Sequence, residues 1–288
     1  MPVALVTDTT HYLPRQLVKA KRIHEVSLYV KFDGRQIPES ELLADFDGFY
    51  ERLRAAHEMP TTSQPSIGDF LGVWEPLLND GDDIVSLHLA SGVSGTYESA
   101  LQAKRRLVED GLDEARLCVL DAQTGAGGAG LLLLAGAAAV QAGGDVEAVA
   151  ARIRSTREAL KIWFCVDTLE YLRRGGRIGA AAALLGSALK IKPILTFETE
   201  ITPVERVRTA SRAFERMVDY MQMRKDDGAD GWTVQHVQAP EVAGRLVERG
   251  REVFGSDPLF VSEIGPVIGA HVGPGLVGFG AIPRALLT

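Results

Sequence analysis

Residues 84–109 read IVSLHLASGVSGTYESALQAKRRLVE. The first residues form an apolar run bounded by turn residues, a pattern that predicts a buried strand over 83–89. A loop rich in glycine and serine follows, and residues 97–110 then repeat apolar side chains at helical spacing. Strand, glycine loop and helix in this order form the repeating unit of a parallel α/β sheet.

The same order of elements continues on both sides of this stretch. A β-rich segment at 23–32 ends at Asp33-Gly34, a hairpin signal, and Ser66 is a candidate cap for the helix that follows it. We therefore expect an N-terminal parallel α/β domain over residues 1–160. The other predicted elements are strands at 3–7 and 116–120 and helices at 42–57, 67–78, 129–142 and 146–160.

Beyond residue 160 the pattern changes. Charged and polar residues alternate more in 199–209, which predicts an antiparallel pair of strands. We expect a C-terminal α/β domain over 161–288 with a mixed or antiparallel sheet, whose last residues pack back on the first domain. The predicted elements are strands at 162–166, 194–198, 204–209, 232–237 and 259–264 and helices at 168–174, 180–189, 211–223 and 241–254.

The composition is that of an ordinary folded protein. The chain has 288 residues, of which 46% are hydrophobic and 24% charged, with a formal net charge of −7. These values exclude a disordered chain, and an acidic chain without a basic stripe argues against nucleic-acid binding. Cys118 and Cys165 each lie in an apolar run, so we expect small buried residues and neither a disulfide nor a metal site.

The sequence carries no targeting signal that we can read. The first ten residues, MPVALVTDTT, lack the basic segment and the long apolar segment of a signal peptide. The longest apolar run, 129–140, is shorter than the roughly 20 residues that a membrane-spanning helix needs. We therefore expect a cytoplasmic protein that contacts membranes transiently at most.

A glycine cluster at 125–130 matches the dinucleotide-binding pattern G-x-G-x-x-G, with Asp145 about 20 residues further on. That pattern places its acidic residue at the end of a second strand, and no strand is predicted between the helix and Asp145. The simpler interpretation is a tight strand-to-helix turn and a helix that packs closely through small residues. Nucleotide binding stays open as an alternative at this point.

The loop at Ser94 is compatible with two kinds of functional site, a serine nucleophile and an anion-binding site. It nearly matches the nucleophile motif G-x-S-x-G, with Thr96 in place of the last glycine, so a serine acyl hydrolase using Ser94 and His271 is one candidate. The free amides at the start of the next helix also favour an anion, because Gly95 lets a ligand approach the backbone and Ser94 offers a hydroxyl. The plainest alternative is that Ser94 or Thr96 only caps the helix.

Three further groups could join this site. Thr62 and Ser63 lie in a predicted loop between two prolines, and ligands of open α/β sheets bind at the carboxyl ends of strands. His271 lies among four glycines and two prolines, where an imidazole can donate to a carboxylate. Arg173, Arg174 and Arg177 form a basic segment. The segment either ends a short helix, where cations are favourable, or binds a phosphate or an acidic partner. No zinc-binding pattern is present.

Six motifs, in the right order over nearly the whole chain, resemble the DegV family of bacterial fatty-acid-binding proteins. Some members of that family serve as the acyl-carrying subunit of a fatty acid kinase. One departure is Asp8-Thr9, where the family commonly has Asp-Ser, a change that keeps the hydroxyl. The motifs are Asp8-Thr-Thr10, Thr62-Ser-Gln-Pro-Ser66, Ser94-Gly-Thr-Tyr97, Leu169-Glu-Tyr-Leu172 with Gly175-Gly-Arg-Ile178, Ile191-Lys-Pro-Ile-Leu195 and Gly269-Ala-His-Val-Gly-Pro-Gly275.

The resemblance implies a two-domain fold with a long-chain fatty acid such as palmitate in the cleft between the domains. It implies that Thr62 and Ser94 hold the carboxylate with His271 nearby, and we expect Ser63, Gly95 and Thr96 to support this polar site. It places Arg177 in the polar site or in a partner contact, and we add Arg173 and Arg174 as candidates for a partner or phosphate contact.

The resemblance also implies a carrier and not an enzyme, without cofactor or metal, which presents its ligand to a separate kinase for acyl phosphate formation. About 14 buried methylenes would contribute ~11 kcal/mol before ordering costs. As walls of the lipid tunnel we expect apolar residues of the helix at 129–140 and of the segment 180–189.

Overall fold

The computed structural model describes residues 2–56, 58–185 and 191–288. Its strands form three sheets. In chain order the strands are β1 (Val3–Asp8), β2 (Ile23–Val26), β3 (Tyr29–Phe32), β4 (Arg35–Pro38), β5 (Thr61–Ser63), β6 (Asp83–His88), β7 (Leu117–Asp121), β8 (Lys161–Cys165), β9 (Lys192–Glu198), β10 (Glu200–Val207), β11 (Gly231–His236), β12 (Phe260–Glu263) and β13 (Val277–Ile282).

Helices cover the faces of these sheets. In chain order they are α1 (Arg15–Ala20), α2 (Glu39–Leu42), α3 (Phe46–Ala55), α4 (Ile67–Asn79), α5 (Thr96–Glu109), α6 (Ala126–Gln141), α7 (Val146–Ala159), α8 (Glu170–Arg174), α9 (Ala210–Asp226), α10 (Pro240–Phe254) and α11 (Pro266–Val272). None of the helices in the described ranges is both long enough and apolar enough to cross a bilayer.

The first sheet has the order β2-β1-β6-β7, and all its strands are parallel. Every residue of β1 is buried, as expected of a strand covered by helices on both faces. Phe70 and Trp74 of α4 pack on one face of the sheet, and α6 and α7 pack on the other. The parallel α/β arrangement that the sequence predicts for this part of the chain is confirmed.

The second sheet has the order β10-β9-β8-β13-β11-β12 and is mixed. Only β11 and β12 are parallel neighbours, and the predicted antiparallel pair in the segment 199–209 is formed by β9 and β10. Strand β13, which lies in the middle of the sheet, was not predicted. Its sequence VGFGAI contains two glycines, which lower the strand propensity, but its neighbours β8 and β11 supply partners on both sides.

A small third sheet, β4-β3-β5, corrects two predictions. Residues 61–63 were predicted as a loop but form strand β5, because β3 pairs with them and satisfies their backbone groups. The helix predicted at 42–57 is shorter, because the short helix α2 ends at Leu42 and a separate helix, α3, begins only at Phe46. The Asp45 side chain caps the second by accepting from the amide of Gly48 at 2.9 Å.

Helix α6 lies between the two larger sheets. Thirteen of its residues are buried, so it is apolar on every side. Leu131 of α6 packs against Gly280 of β13, and Gly136 approaches Leu5 of β1. The small residues of this helix therefore allow close packing on both sides. This agrees with the interpretation of the glycine cluster at 125–130 as the start of a closely packed helix.

Two predicted features of the C-terminal part differ from the structure. The helix predicted at 180–189 is a short 3-10 turn over Gly179–Leu184, and residues 186–190 lie outside the described ranges. Helix α11, in a segment so rich in glycine and proline, was not predicted. Pro266 starts it at a position where no amide donor is needed.

The expected boundary at residue 160 falls between α7 and β8. Near the end of the chain, Arg152 of α7 donates to the carbonyl oxygen of Leu286 at 2.9 Å, and helix α6 contacts the 3-10 turn over Arg284–Leu287. The division into domains 1–160 and 161–288 stays a prediction.

Candidate functional site

A cavity with about 1030 Å³ of empty space, part of it open to solvent, lies where the mixed sheet and β5 meet α11 and the loops that follow β6 and β7. Most of its lining is apolar. The apolar lining includes Leu28, Leu89, Phe164, Phe197, Ile201 and Val267.

The polar lining gathers around one hydrogen bond. Oγ1 of Thr62 lies 2.7 Å from Nε2 of His271. Thr62 is placed by β5, which pairs with Val30 of β3, and His271 is placed in the last turn of α11. The structure therefore brings together two residues that the sequence analysis proposed for one site.

The imidazole of His271 is neutral at physiological pH. Burial, reinforced by the positive charge of Arg177, lowers its pKa to about 4. Nδ1 is buried without a partner among the described residues, and a side chain at Gly175 would overlap it. An unpaired buried lone pair is less costly than an unpaired N–H, which favours the tautomer with hydrogen on Nε2. Nε2 then donates to Thr62, and the Thr62 hydroxyl hydrogen is left for a ligand.

Ser94 contributes a second hydroxyl to the cavity lining. Its Oγ lies 2.8 Å from Oγ1 of Thr96, the fully buried first residue of α5. Gly95 packs against the side-chain amide of Gln64, where a Cβ atom would lie 3.0 Å from Nε2. Ser63 and Gln64 also line the cavity, whereas Gly95 and Thr96 lie behind it and hold Ser94 in place.

The three arginines that the sequence places together are separated in the structure. Arg177 lines the cavity and donates to the carbonyl oxygens of Val93 (3.1 Å) and Gly175 (2.7 Å). Arg173 and Arg174 are exposed on α8 and pair with Glu170 at 2.7 and 2.6 Å. The guanidinium of Arg177 is thus part of the site, while a partner or phosphate contact of the other two stays a prediction.

The geometry gives no support to a Ser94–His271 hydrolase. In the described part of the chain neither nitrogen of His271 meets a carboxylate, and Ser94 bonds Thr96 instead. A Ser–His–Asp chain does occur elsewhere, because Ser86 bonds His88 (2.7 Å) and His88 lies 3.3 Å from Asp8. All three of its residues are buried to at least 99%, so no substrate reaches them.

The dinucleotide interpretation is wrong. Asp145 caps α7 by accepting from the amide of Ala148 at 2.9 Å, and no strand of the described chain separates α6 from α7. The amide of Gly127, in the first turn of α6, donates to the side-chain oxygen of Gln235. These glycines serve close packing and the cavity wall.

The expected tunnel walls are mostly wrong. Of the helix that contains 129–140, only the first turn lines the cavity, because the rest is buried between the sheets. The described part of 180–189 does not line it, and 186–190 lie outside the described ranges. The mixed sheet and α11 together supply about half of the wall instead.

The wall residues that were missed include Gly278 and Gly280 of β13, together with Ile162 and Phe164 of β8 opposite them. The alternation of large and small residues in VGFGAI is the signal that could have revealed them. Val277 and Phe279 belong to the core on the other face of the sheet, and Gly278 and Gly280 leave room on the cavity face.

Comparisons with known proteins agree with this architecture. The family model described as "Uncharacterised protein, DegV family" matches residues 2–284. A DegV domain-containing protein of Streptomyces coelicolor is 40% identical over 281 residues, which cover 96% of each chain.

Two solved structures share the fold at useful identity. DegV of Bacillus subtilis, a fatty acid binding protein, has a TM-score of 0.87 at 32% identity, covering 98% of this chain and 99% of its own. A fatty-acid-binding DegV family protein from Thermus thermophilus has a TM-score of 0.85 at 30% identity, covering 98% and 100%. The match in sequence and in fold extends over nearly the whole chain, which therefore belongs to the DegV family.

Proposed function

We propose that this protein binds a long-chain fatty acid in the cavity, with the carboxylate at the end formed by Thr62, Ser94 and His271. The observation that carries this proposal is the combination of a largely apolar cavity with a cluster of donors around the Thr62–His271 hydrogen bond. The fatty acid binding of the relatives from Bacillus subtilis and Thermus thermophilus supports it.

The polar end suits a carboxylate. An unpaired buried carboxylate is costly, so several donors must converge on it. Nε2 of His271 donates to Thr62, which directs the Thr62 hydroxyl into the cavity, and the Ser94 hydroxyl donates from the start of α5. The guanidinium of Arg177 adds a positive charge beside these neutral donors.

The apolar walls suit the acyl chain. Burial of a methylene contributes roughly 0.8 kcal/mol, so about 14 methylenes contribute ~11 kcal/mol before the costs of ordering the ligand. The chain would lie along the cavity face of the mixed sheet, between β8 and β13, where Gly278 and Gly280 leave space. Affinity would therefore come from the tail and orientation from the carboxylate.

We further propose that the protein is a carrier and not a catalyst. It would present the carboxyl end to a separate kinase, which forms the acyl phosphate. The exposed Arg173 and Arg174 of α8 lie close in sequence to Arg177 and would contact that partner or the transferred phosphate. Reversing both charges would then weaken the encounter with the kinase while palmitate binding is retained.

Extraction of the bound lipid tests the proposal. Protein produced in cells supplied with fatty acids is purified and denatured, and the extract is analysed by mass spectrometry. We expect about one long-chain fatty acid per protein, and much less from the Thr62→Val variant, which removes the hydroxyl at nearly constant volume. Wild-type protein that repeatedly yields no fatty acid would contradict the proposal.

A further inference from the structure

The start of α11 is held by a side chain from a distant part of the chain. Oη of Tyr50, on α3, donates to the carbonyl oxygens of Ile264 (2.6 Å) and Gly265 (3.1 Å), just before the helix. A side chain at Gly269, within α11, would overlap the same hydroxyl. Helix α11 therefore packs closely against Tyr50, and the two hydrogen bonds fix the position of its first residues relative to α3.

Two more side chains from the first 40 residues hold the first amides of α11. The carboxylate of Glu39 accepts from the amide of Val267 at 2.8 Å, and Oη of Tyr12 accepts from the amide of Ile268 at 3.2 Å. Tyr12 in turn donates to Glu39 at 2.6 Å, and Thr9 donates to the other carboxylate oxygen at 2.5 Å. We call Tyr12, Glu39 and Tyr50 the clamp.

Glu39 is the centre of the clamp. Its side chain is fully buried, yet its carboxylate has three donors, one of them a backbone amide of α11. Hydrogen bonds to an ionised group are roughly twice as strong as those between neutral groups. Loss of this carboxylate would leave buried donors without an acceptor and release the start of α11.

Glu39 and Thr62 are linked through one small sheet. Glu39 directly follows β4, in which Ile37 pairs with Val30 of β3, and the other neighbour of Val30 is Thr62 of β5. The β4-β3-β5 sheet thus carries Glu39 beyond one edge strand and Thr62 on the other. Helix α11, which presents His271, contacts β3, β5 and the short helix α2 that begins at Glu39.

From this geometry we propose that Glu39 is a positioning residue for the polar end of the cavity. By holding the start of α11 it sets where His271 meets Thr62, and it thereby sets the affinity for the acyl carboxylate. The part that concerns affinity rests on the proposed function, whereas the part that concerns the Thr62–His271 hydrogen bond does not.

The charges around Glu39 allow a pH test. Burial, with a contribution from the negative charge of Asp8 on β1, raises the pKa of Glu39 to about 7, although its hydrogen bonds oppose this shift. Burial raises the pKa values of Tyr12 and Tyr50 well above the ordinary range, so both stay neutral. Burial opposes ionisation of Asp8, but its interactions with His88, Thr10 and the amide of Leu89 together lower its pKa, and the pKa of His271 is about 4. Among these groups only Glu39 titrates between pH 6 and 8.

Palmitate affinity is measured from pH 6 to pH 8 by displacement of a fluorescent fatty acid, for wild type, Glu39→Gln and Glu39→Ala. Because protonation weakens the hold on α11, we expect wild-type affinity to fall severalfold from pH 8 to pH 6. Glu39→Gln should show the wild-type pH 6 affinity throughout, and Glu39→Ala should bind about tenfold more weakly than wild type at pH 8, the scale of one charge-assisted hydrogen bond.

Glu25→Gln is the matched control. Glu25 is a largely buried carboxylate that pairs with His11 and Arg15 and makes no hydrogen bond to α11. It should alter stability without altering palmitate affinity. If Glu39→Gln keeps the wild-type pH dependence, or if Glu39→Ala binds palmitate like the Glu25→Gln control, the inference is overturned.

NMR of the ligand-free protein separates this inference from the proposed function. The ring resonances of His271 should move in Glu39→Ala and in Tyr12→Phe, which removes a partner of Glu39 without removing the carboxylate, and should not move in Glu25→Gln. A wild-type protein that binds no fatty acid would refute the proposed function alone. Unmoved His271 resonances in both clamp variants would refute the positioning role alone.

Discussion

Oγ1 of Thr62 lies 2.7 Å from Nε2 of His271, although the two residues are 209 positions apart in the chain. One belongs to a three-residue strand and the other to a helix of seven residues. Neither element has the length to form alone, so the contact depends on the sheets and helices that pack around both. The polar end of the cavity is therefore a product of tertiary structure.

Replacement of Thr62 by valine should weaken palmitate binding. The change removes the hydroxyl that Nε2 of His271 orients, so we expect at least tenfold lower affinity, the scale of one hydrogen bond to a charged group. Thr61→Val is the matched control, because Thr61 is exposed on the same strand and does not line the cavity. Isothermal titration measures both. Equal affinities of the two variants would argue against a carboxylate at Thr62.

Ser94→Ala distinguishes binding from catalysis. We expect a loss of palmitate affinity comparable to that of Thr62→Val, because a second donor to the carboxylate is removed. We expect no hydrolysis of p-nitrophenyl acyl esters by wild type or variant, since His271 has no carboxylate partner among the described residues. Ester turnover by wild type that disappears in Ser94→Ala would restore the hydrolase hypothesis.

Gly280→Ala should shift the preference toward shorter fatty acids. A Cβ atom at this position would lie 2.7 Å from Cγ2 of Ile162, which also lines the cavity, so Ile162 must move and the space beside β13 shrinks. Competition among saturated acids of different length measures the change. Gly244→Ala, on α10 with no atom within 4 Å of the new Cβ, is the control and should leave the preference intact. An unchanged length profile in Gly280→Ala would place the tail elsewhere.

Glu39 should make the folded protein less stable as the pH rises. Its pKa is 4.5 ordinarily and about 7 in the folded chain, mainly because of burial, so the folded state binds the proton more tightly than the unfolded state. This contribution is complete below pH 4.5 and is lost as the pH rises through 7, by about 3 kcal/mol. Urea unfolding measures the free energy of unfolding at each pH. Between pH 4.5 and 7 this free energy should fall less steeply in Glu39→Gln than in wild type. Equal pH dependence in the two proteins would contradict a raised pKa of Glu39.

His271 should make the folded protein less stable as the pH falls, the opposite of the effect of Glu39. Burial and the charge of Arg177 lower its pKa from 6.5 to about 4, so its contribution to stability is complete above pH 6.5 and is lost as the pH falls through 4. We expect His271→Asn to lose less stability than wild type on going from pH 6.5 to 4. The same urea titrations measure it, and a steeper loss in the variant would show that the imidazole is not buried and neutral.

Much of the fold follows from the sequence. Apolar runs next to helical patterns predict β1, β6 and β7 and the helices α3, α4 and α5 between them, because the strands have apolar buried residues and each helix has one apolar face that packs inward. Strands β5 and β13 could not be predicted in this way. Thr61–Ser63 has too few residues for a periodic signal, and the glycines of β13 hide a strand whose neighbours complete it.

The candidate site likewise contains residues that the sequence predicts and residues that it does not. Thr62, Ser94 and His271 stand out in the sequence as hydroxyl or imidazole groups in loops rich in glycine or proline, and the structure places them around one cavity. The clamp residue Glu39 and the wall residue Phe164 do not stand out. A single buried glutamate or a phenylalanine in a strand acquires its role only from what the fold packs against it.

A crystal structure of the protein with palmitate would show directly whether Thr62 and Ser94 bind the carboxylate. We expect the carboxylate within hydrogen-bond distance of Oγ1 of Thr62 and Oγ of Ser94, with the tail along the cavity face of the mixed sheet beside Gly278. An electron density map with the carboxylate at the opposite end, or with palmitate outside this cavity, would contradict it.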